Sequence, residues 1–271
     1  MLEDLSSGPE LPPILRDKPT EEPSVFDPAA LLREGRRQLG RTDDAVPRVC
    51  LLDPDGDVVR YLRRTELASL HPGWSCYHTE LWTAEHAGVA FGVVGCAVGA
   101  PFAVLVAEQL AASGCELVVS ITSSGQVTPL AEPPYYLLIE RAWRDEGTSL
   151  HYVPPAPWST LDPELAERVV PAFAQLDEEV TAGAAWTTDA PYRETETAIA
   201  AARDAGCHVV EMEAAALYAY AHARGQDVVC LAHVTNSMAT AGDDFEKGPH
   251  AGAISSLDVF AAAAKALHRV P

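Results

Sequence analysis

The stretch CHVVEMEAAALYAYAHARGQDVVCLAHVT, residues 207–235, decides how the chain folds. Cys207–Met212 is a short, largely apolar strand end, and Glu213–Arg224 is an alanine-rich helix closed by Gly225. DVVCLAHVT then reads as a second strand, apolar on nearly every residue, as a strand covered on both faces requires. Strand, helix and strand in succession form the unit of an α/β sheet. Glu211 and Glu213 stand at its seam, where a carboxylate costs desolvation energy unless something pairs with it. Two apart on extended chain, both reach one pocket rim, and a carboxylate accepting two hydrogen bonds matches the vicinal hydroxyls of a ribose. Met212 between them offers a soft apolar surface for a sugar or base. The ordinary alternative makes Glu213 a first-turn helix acid favoured by the dipole, and Glu211 an ion-pair partner.

The same alternation extends outward. VPRVCLL predicts a buried strand ended by the turn DPDGD, with a helical turn over Val58–Arg64. SCYHTELWTAEH and AGVAFGVVG predict two strands, and Ala100–Ser113 a helix stopped by Gly114. CELVVSI predicts a strand followed by a small-residue loop, TSSG, and YYLLIERAW another strand before RDEGTS. Helices are expected over Leu161–Leu176, Pro191–Ala205 and Ile254–Arg269, with VTAGAAWTT a strand between the first two. The resulting fold class is α/β: a single domain, residues 46–271, with a central mixed β-sheet flanked by helices on both faces. Residues 1–45 are Pro-rich and acidic and are expected to form a partly ordered arm with one short helix near Pro28–Gln38. That arm is either a dispensable tail or a segment that packs on a neighbouring subunit.

Composition narrows the function. The 271 residues are 48% hydrophobic, with 39 acidic against 19 basic side chains and a formal net charge of −20. A nucleic-acid polymer is repelled by such a surface, so no nucleic-acid partner is expected. No apolar run is long enough to span a membrane, and the first residues lack a basic start and an apolar core of a leader, so a cytoplasmic protein is expected. The six cysteines form no CxxC pair and read as buried, reduced thiols. The nine histidines are scattered without HxH or HxxxH spacing, and neither a metal nor another cofactor is expected.

In open α/β sheets ligands bind where loops leave the carboxyl ends of strands. The TSSG loop offers the hydroxyls of Thr122, Ser123 and Ser124 and the backbone of Gly125 as an anion nest. In WTTDAPYRE, Tyr192 can cover a base face and Arg193 donate to a base carbonyl or phosphate, while Asp189 can cap the following helix. Arg144 in RDEGTS either joins the anion site or pairs with Asp145 or Glu146 to close a turn. The late DDFEKG segment is a lid over the pocket or a solvated charged loop.

EMEAAALYAYA followed by the VVCLAHVTN strand resembles the phosphorylase family that cleaves purine and pyrimidine nucleosides. RDEGTSLHYVPP is similar to the matching segment of uridine phosphorylases, DAPYRE falls where that family has its base-stacking loop, and LVVSITSSG where it has a phosphate-binding strand-loop. The resemblance covers roughly Val46 to Asp258. It implies that Glu211, Met212 and Glu213 hold the ribose, with Glu213 on the 2′ and 3′ hydroxyls. It implies that Ser123 contacts phosphate, joined by Ser124 and Gly125 of the anion nest and by Arg60, while Arg144 or Arg193, or Arg36 or Arg37 from a neighbouring subunit, is a candidate to replace a missing family arginine. Three departures stand out. Asn236 replaces an Asp that protonates the departing purine in bacterial members, and an amide cannot act as that acid, which favours an oxo-base. Ser120 stands where the family has a phosphate-binding Arg. The Gly-Asp-Pro-x-x-Arg loop is altered to DPDGDVVR, with Arg60 as its candidate arginine. Phosphorolysis, giving free base and ribose 1-phosphate, is therefore the leading expectation. A nucleoside hydrolase on the same scaffold and a non-catalytic nucleoside-binding protein are the alternatives. The resemblance also implies a homo-oligomer.

Overall fold

Apolar runs and small residues dictate a sheet enclosed by helices. The computed structural model describes residues 12–16, 18–237 and 245–268. Among them are ten strands: β1 (Val49–Asp53), β2 (Ala68–Leu70), β3 (Trp82–His86), β4 (Val89–Gly95), β5 (Leu117–Gln126), β6 (Tyr135–Asp145), β7 (Trp158–Thr160), β8 (Val180–Thr188), β9 (Val209–Glu211) and β10 (Asp227–Ser237). The helices are α1 (Pro28–Leu39), α2 (Asp57–Arg64), α3 (Ala100–Ala112), α4 (Pro163–Phe173), α5 (Glu196–Asp204), α6 (Ala214–Arg224) and α7 (Ala253–Leu267). One mixed sheet holds all ten strands. Helices α3 and α6 pack on each other, and α2 and α4 pack on α7, so that both faces are covered.

Strand β5 organises the sheet. One edge pairs in parallel with β10 along almost its full length, from Leu117 to Gln126. The other edge is shared: β1 pairs with Leu117–Ser120, and antiparallel β9 takes over only at Gly125 and Gln126. Beyond that fork, β9, β8, β6 and β10 pair in turn and return to β5, closing a circuit of strands. The opposite arm continues through β1 to β4, β3 and β2.

Helix α6 explains its own alanines. Every residue from Ala214 to Tyr220 is buried, so small side chains are needed for backbone elements to approach on all sides. Its two tyrosines carry their hydroxyls to backbone carbonyls, Tyr218 to Ile139 on β6 and Tyr220 to Ala107 on α3, which satisfies polar groups in an apolar setting. Gly225 ends the helix with φ +64°, the left-handed turn that glycine adopts without a Cβ penalty.

Several sequence expectations need correction. TSSG is not a loop, because Thr122–Gly125 continues β5. The expected helix from Pro191 is a 3-10 turn over Pro191–Arg193 followed by α5, which is capped by the Thr195 hydroxyl. Asp189 does not cap it; its carboxylate accepts from the Gly147 amide at 2.9 Å. SCYHTELWTAEH yields strand only from Trp82, and the short strands β2 and β7 were not anticipated. Cys96 is exposed, unlike the other five cysteines. Within the arm, α1 is well anchored: Leu32 and Gly35 are buried, and the Ser75 hydroxyl donates to the Leu32 carbonyl at 2.9 Å. The end of the predicted last helix at Arg269 and the start of the DDFEKG segment lie outside the described residues.

Gly35 permits that anchoring, since a Cβ there would sit 2.6 Å from the Ser75 carbonyl oxygen. Gly35→Ala is expected to destabilise the protein by roughly 1–3 kcal/mol through this overpacking. Denaturant titration checks the loss, and limited proteolysis should show earlier cleavage around α1.

Candidate active site

The fork in β5 creates a polar cleft by default. Between Ser120, the last residue paired to β1, and Gly125, the first paired to β9, one edge of β5 has no strand neighbour. Buried amides there need other partners. The turn after β1 supplies one: Asp55 accepts from the Ser123 backbone N–H and from the Ser123 hydroxyl, each at 2.7 Å. Asp53 is buried at the end of β1 and accepts from the Val59 amide at 2.9 Å. Burial pushes the Asp53 carboxyl up to about 7, against the pull of the Val59 amide, and neighbouring Asp55 and Asp57 add to the rise.

Two cations answer this acidic turn. Lys247 places Nζ 2.5 Å from Asp57 and 3.6 Å from Asp55. Arg60 donates to the Asp57 carboxylate at 2.5 Å and to the Asp55 carbonyl at 2.7 Å. Burial raises the Asp57 carboxyl, but the hydrogen bonds from Lys247 and Arg60 more than offset it and leave the group below its ordinary value. His233, on β10 beside Ser123, stacks on Tyr136 with ring centroids 4.7 Å apart. Burial, aided by Lys247, drives its imidazole down to about 4, so it is neutral near pH 7. The cleft between the turn, Ile121–Ser123 and His233 retains only about 10 Å³.

The two glutamates of the opening stretch have different tasks. Glu211 ends β9, and one of its oxygens accepts from the amides of Glu213 and Ala214, both at 2.7 Å. Its other oxygen accepts from the Thr187 hydroxyl, which in turn accepts from the Ala215 amide at 3.0 Å. Glu211 and Thr187 thus satisfy successive donors at the start of α6 that would otherwise be orphaned. Glu213 is 1% exposed. Its Oε1 accepts from the Gly99 amide at 2.7 Å, while its Oε2 is buried with no hydrogen-bond partner. Burial pushes both carboxyls above the usual range; the charge of Glu211 adds to the effect on Glu213, and the Gly99 amide and the Thr122 hydroxyl only partly oppose it. Glu211 has three donors to stabilise its anion, so Glu213 is the member of the pair whose ionisation is opposed more strongly until a ligand donates to it.

Gly99, which sequence reasoning passed over, ends the loop between β4 and α3 with φ +88°. A residue with a Cβ is strained there, and the Met212 methyl lies 4.0 Å from where that Cβ would stand. The signal was present in the two glycines of GCAVGAP between a strand and a helix.

The remaining predicted residues divide. Arg60 lies at the acidic turn, as above. The Ser124 hydroxyl turns away to the His233 carbonyl, and Gly125 is paired to β9 and β10. Arg144 belongs to another structure: its guanidinium donates to Ser149, Pro154 and Val153, binding the loop after β6. It pairs with neither Asp145, which accepts from the Trp186 indole, nor Glu146, which accepts from the Ser149 amide. Tyr192 is 98% exposed and Arg193 is also exposed, so in the single chain this turn covers no pocket. Asn236 follows a bulge in β10, and its side-chain oxygen accepts from Thr235 at 3.2 Å. Ser120 is buried with its hydroxyl unpartnered. Asp53, Asp55, Asp57 and Lys247 were not singled out from the sequence, because solvated charged turns have the same composition. Among the described residues no three His, Cys, Asp or Glu side chains group as a metal-ligand set, and no helix is long and apolar enough to cross a membrane.

This arrangement, a buried pair of carboxylates beside a forked sheet, has relatives. The model of the phosphorylase superfamily matches residues 48–270, and the chain belongs to that superfamily. A uridine phosphorylase from Thermococcus kodakarensis is 27% identical over 220 residues, 69% of this chain and 78% of its own. A guanosine phosphorylase from Halorubrum lacusprofundi is 27% identical over 142 residues, 52% of this chain and 59% of its own. Among solved structures, the purine nucleoside phosphorylase from Toxoplasma gondii in complex with immucillin-H superposes with a TM-score of 0.69, covering 83% of this chain and 92% of that one. Its sequence identity is 17%, so this likeness concerns the fold.

The carboxyls with raised values make stability depend on pH in a definite direction. A carboxyl whose folded value is raised contributes fully below its unfolded range and loses that contribution as pH climbs through the folded value. Asp53, Glu211 and Glu213 all act in this sense. His233, held down, acts oppositely and only below its ordinary value of 6.5. The unliganded protein should therefore lose thermal stability from about pH 6.5 to about pH 8.5. Glu213→Gln should flatten part of that decline and melt above the parent at the alkaline end, as differential scanning calorimetry would read.

Proposed function

We propose that the chain cleaves the N-glycosidic bond of a ribonucleoside by phosphorolysis, releasing free base and ribose 1-phosphate. One observation carries the reading: Glu213 is buried and anchored through Gly99, with its second oxygen lacking a donor. Such an oxygen carries a desolvation cost that a ligand's hydroxyl removes. The 2′ and 3′ hydroxyls of a ribose are donors of the right kind. As the bond between C1′ and the base stretches, positive charge grows on the sugar, and a carboxylate held on its hydroxyls stabilises that charge. Glu211 acts through Glu213, fixing the backbone that aims it. Met212, beside Gly99, gives the sugar an apolar wall. Phosphate attacks C1′ from the side of Ser123, Arg60 and Lys247, the anion-binding groups around the fork.

The leaving group in this reading is an oxo-base, a 6-oxopurine or a uracil. Asn236 hydrogen-bonds its carbonyl but supplies no proton to a departing adenine. The names of the relatives, a uridine and a guanosine phosphorylase, support the same class of base. Water in place of phosphate is the second reading, favoured by Ser120 at the family's arginine position and by the Asp55 carboxylate on the Ser123 donors. We also propose that the protein is a homo-oligomer needing no cofactor besides inorganic phosphate; light scattering in solution tests the assembly.

Incubation with guanosine, inosine or uridine should yield ribose 1-phosphate and only in the presence of phosphate. Free ribose formed without phosphate would establish the hydrolase instead. Glu213→Gln should lower kcat/KM by on the order of 10²-fold or more, the usual cost of removing a group that stabilises transition-state charge. Adenosine should be a poor substrate, and Asn236→Asp should raise its turnover relative to guanosine by restoring an acid. An unchanged adenosine-to-guanosine ratio would remove Asn236 from the account of base choice.

A further inference from the structure

Anions at this fork meet an anion already in place. Ser123 offers two donors, its amide and its hydroxyl, and both end on the Asp55 carboxylate at 2.7 Å. Lys247 and Arg60, the cations of the cleft, are likewise held by the same turn, through the carboxylates of Asp57 and Asp55 and the Asp55 carbonyl. The space left, about 10 Å³, is at the lower limit for one water and far below a phosphate. The surrounding ionisable groups are Asp53 and Asp57 on the turn, Glu213 at the start of α6, and neutral His233 on β10. None of these draws a second anion in beside Asp55. Buried Glu213 feels the charge of Asp55, which places it in the same neighbourhood, and its Oε2 has no hydrogen-bond partner.

We propose that Asp55 is an internal competitor for phosphate: its carboxylate occupies the Ser123 donors, and phosphate binds only by displacing it and taking over Ser123, Lys247 and Arg60. Asp55 is thereby the residue that sets how readily the nucleophile enters, and Lys247 is a phosphate-binding residue that compensates for Ser120. The exchange is non-covalent, one anion leaving the donors as another arrives. A carboxylate oxygen pair and two phosphate oxygens present the same acceptor geometry to an N–H and an O–H, which is why one can stand in for the other. The inference rests on the phosphorolysis reading for its purpose, but its test does not depend on turnover.

Inorganic phosphate titrated into the full chain by calorimetry, with no nucleoside present, supplies the measurement. Asp55→Ala should tighten phosphate binding at least about tenfold relative to the parent, and Asp55→Asn, which keeps an acceptor but loses the charge, should fall between them. Adding Lys247→Ala to Asp55→Ala should weaken binding again by about tenfold, with a shallower dependence on salt. Equal affinity in the parent, Asp55→Ala and Asp55→Asn would overturn the competitor role. Equal affinity of Asp55→Ala with and without Lys247→Ala would overturn the role of the lysine. Tighter phosphate binding in Asp55→Ala, with free ribose still the only product, would uphold the competitor and reject phosphorolysis. Should Asp55→Ala fail to fold, Asp55→Asn against the parent decides alone: affinity no tighter than the parent's sinks the proposal.

Discussion

The site depends on one buried carboxylate being fully used. Glu211 takes the amides of Glu213 and Ala214 on one oxygen and the Thr187 hydroxyl on the other, and Thr187 in turn receives the Ala215 amide. These are donors that the first turn of any helix leaves without intrahelical partners. A positive helix end and three hydrogen bonds oppose the burial that pushes the Glu211 carboxyl up. Glu213 next to it is held in a place where its own ionisation is opposed further. The two residues, alike in chemistry and two apart in the chain, are separated in function by which of them has donors.

The sheet supplies the second half of the arrangement. A strand has only two edges, and β5 shares one between β1 and β9. Where neither reaches, the polypeptide must find partners for its amide groups, and a turn rich in aspartate lies at the end of β1. The anion site proposed at this point rests on donors of a strand edge without a strand neighbour, not on a small-residue loop as the TSSG text implied. Ser124 and Gly125, adjacent in sequence, are excluded for the same reason that Ser123 is included. Alternation along the strand turns the Ser124 hydroxyl to the His233 carbonyl, and Gly125 already has strands on both edges.

Long apolar elements were legible in the sequence because burial on both faces leaves no other pattern. β1, β6, β8 and β10, with α3, α6 and α7, lie where the apolar and alanine-rich runs put them. The short edge strands β2 and β7, three residues each, carry too little pattern to stand out. The seam carrying Glu211 and Glu213 was also legible, since two acids beside an apolar run must be explained. Which acid is tied into the fold and which keeps an unpartnered oxygen was not, because it turns on Thr187, which lies far from the pair in sequence. Arg144 shows the converse. Its place beside RDEGTS matched an anion site, yet three loop acceptors claim its guanidinium. A local string reports residue types, whereas the partners of a long side chain are set by tertiary contacts.

The acidity of the cleft finally bears on what phosphate would have to accomplish there in the proposed reaction. At an effective dielectric near 20, two unit charges about 4 Å apart repel by about 4 kcal/mol. An Asp55 left in place beside a bound phosphate would incur a repulsion of that order before the nearby cations offset part of it. Lys247 and Arg60 are present, but their charges are already engaged by Asp57 and Asp55. Movement of one carboxylate removes the repulsion and frees the Ser123 donors in the same step. Under the proposal, a single residue of the turn governs both whether the cleft opens and whether its electrostatics favour an anion. In the proposed reaction, a sugar held by Glu213 would strengthen the demand for that anion, since an oxocarbenium-like centre attracts negative charge.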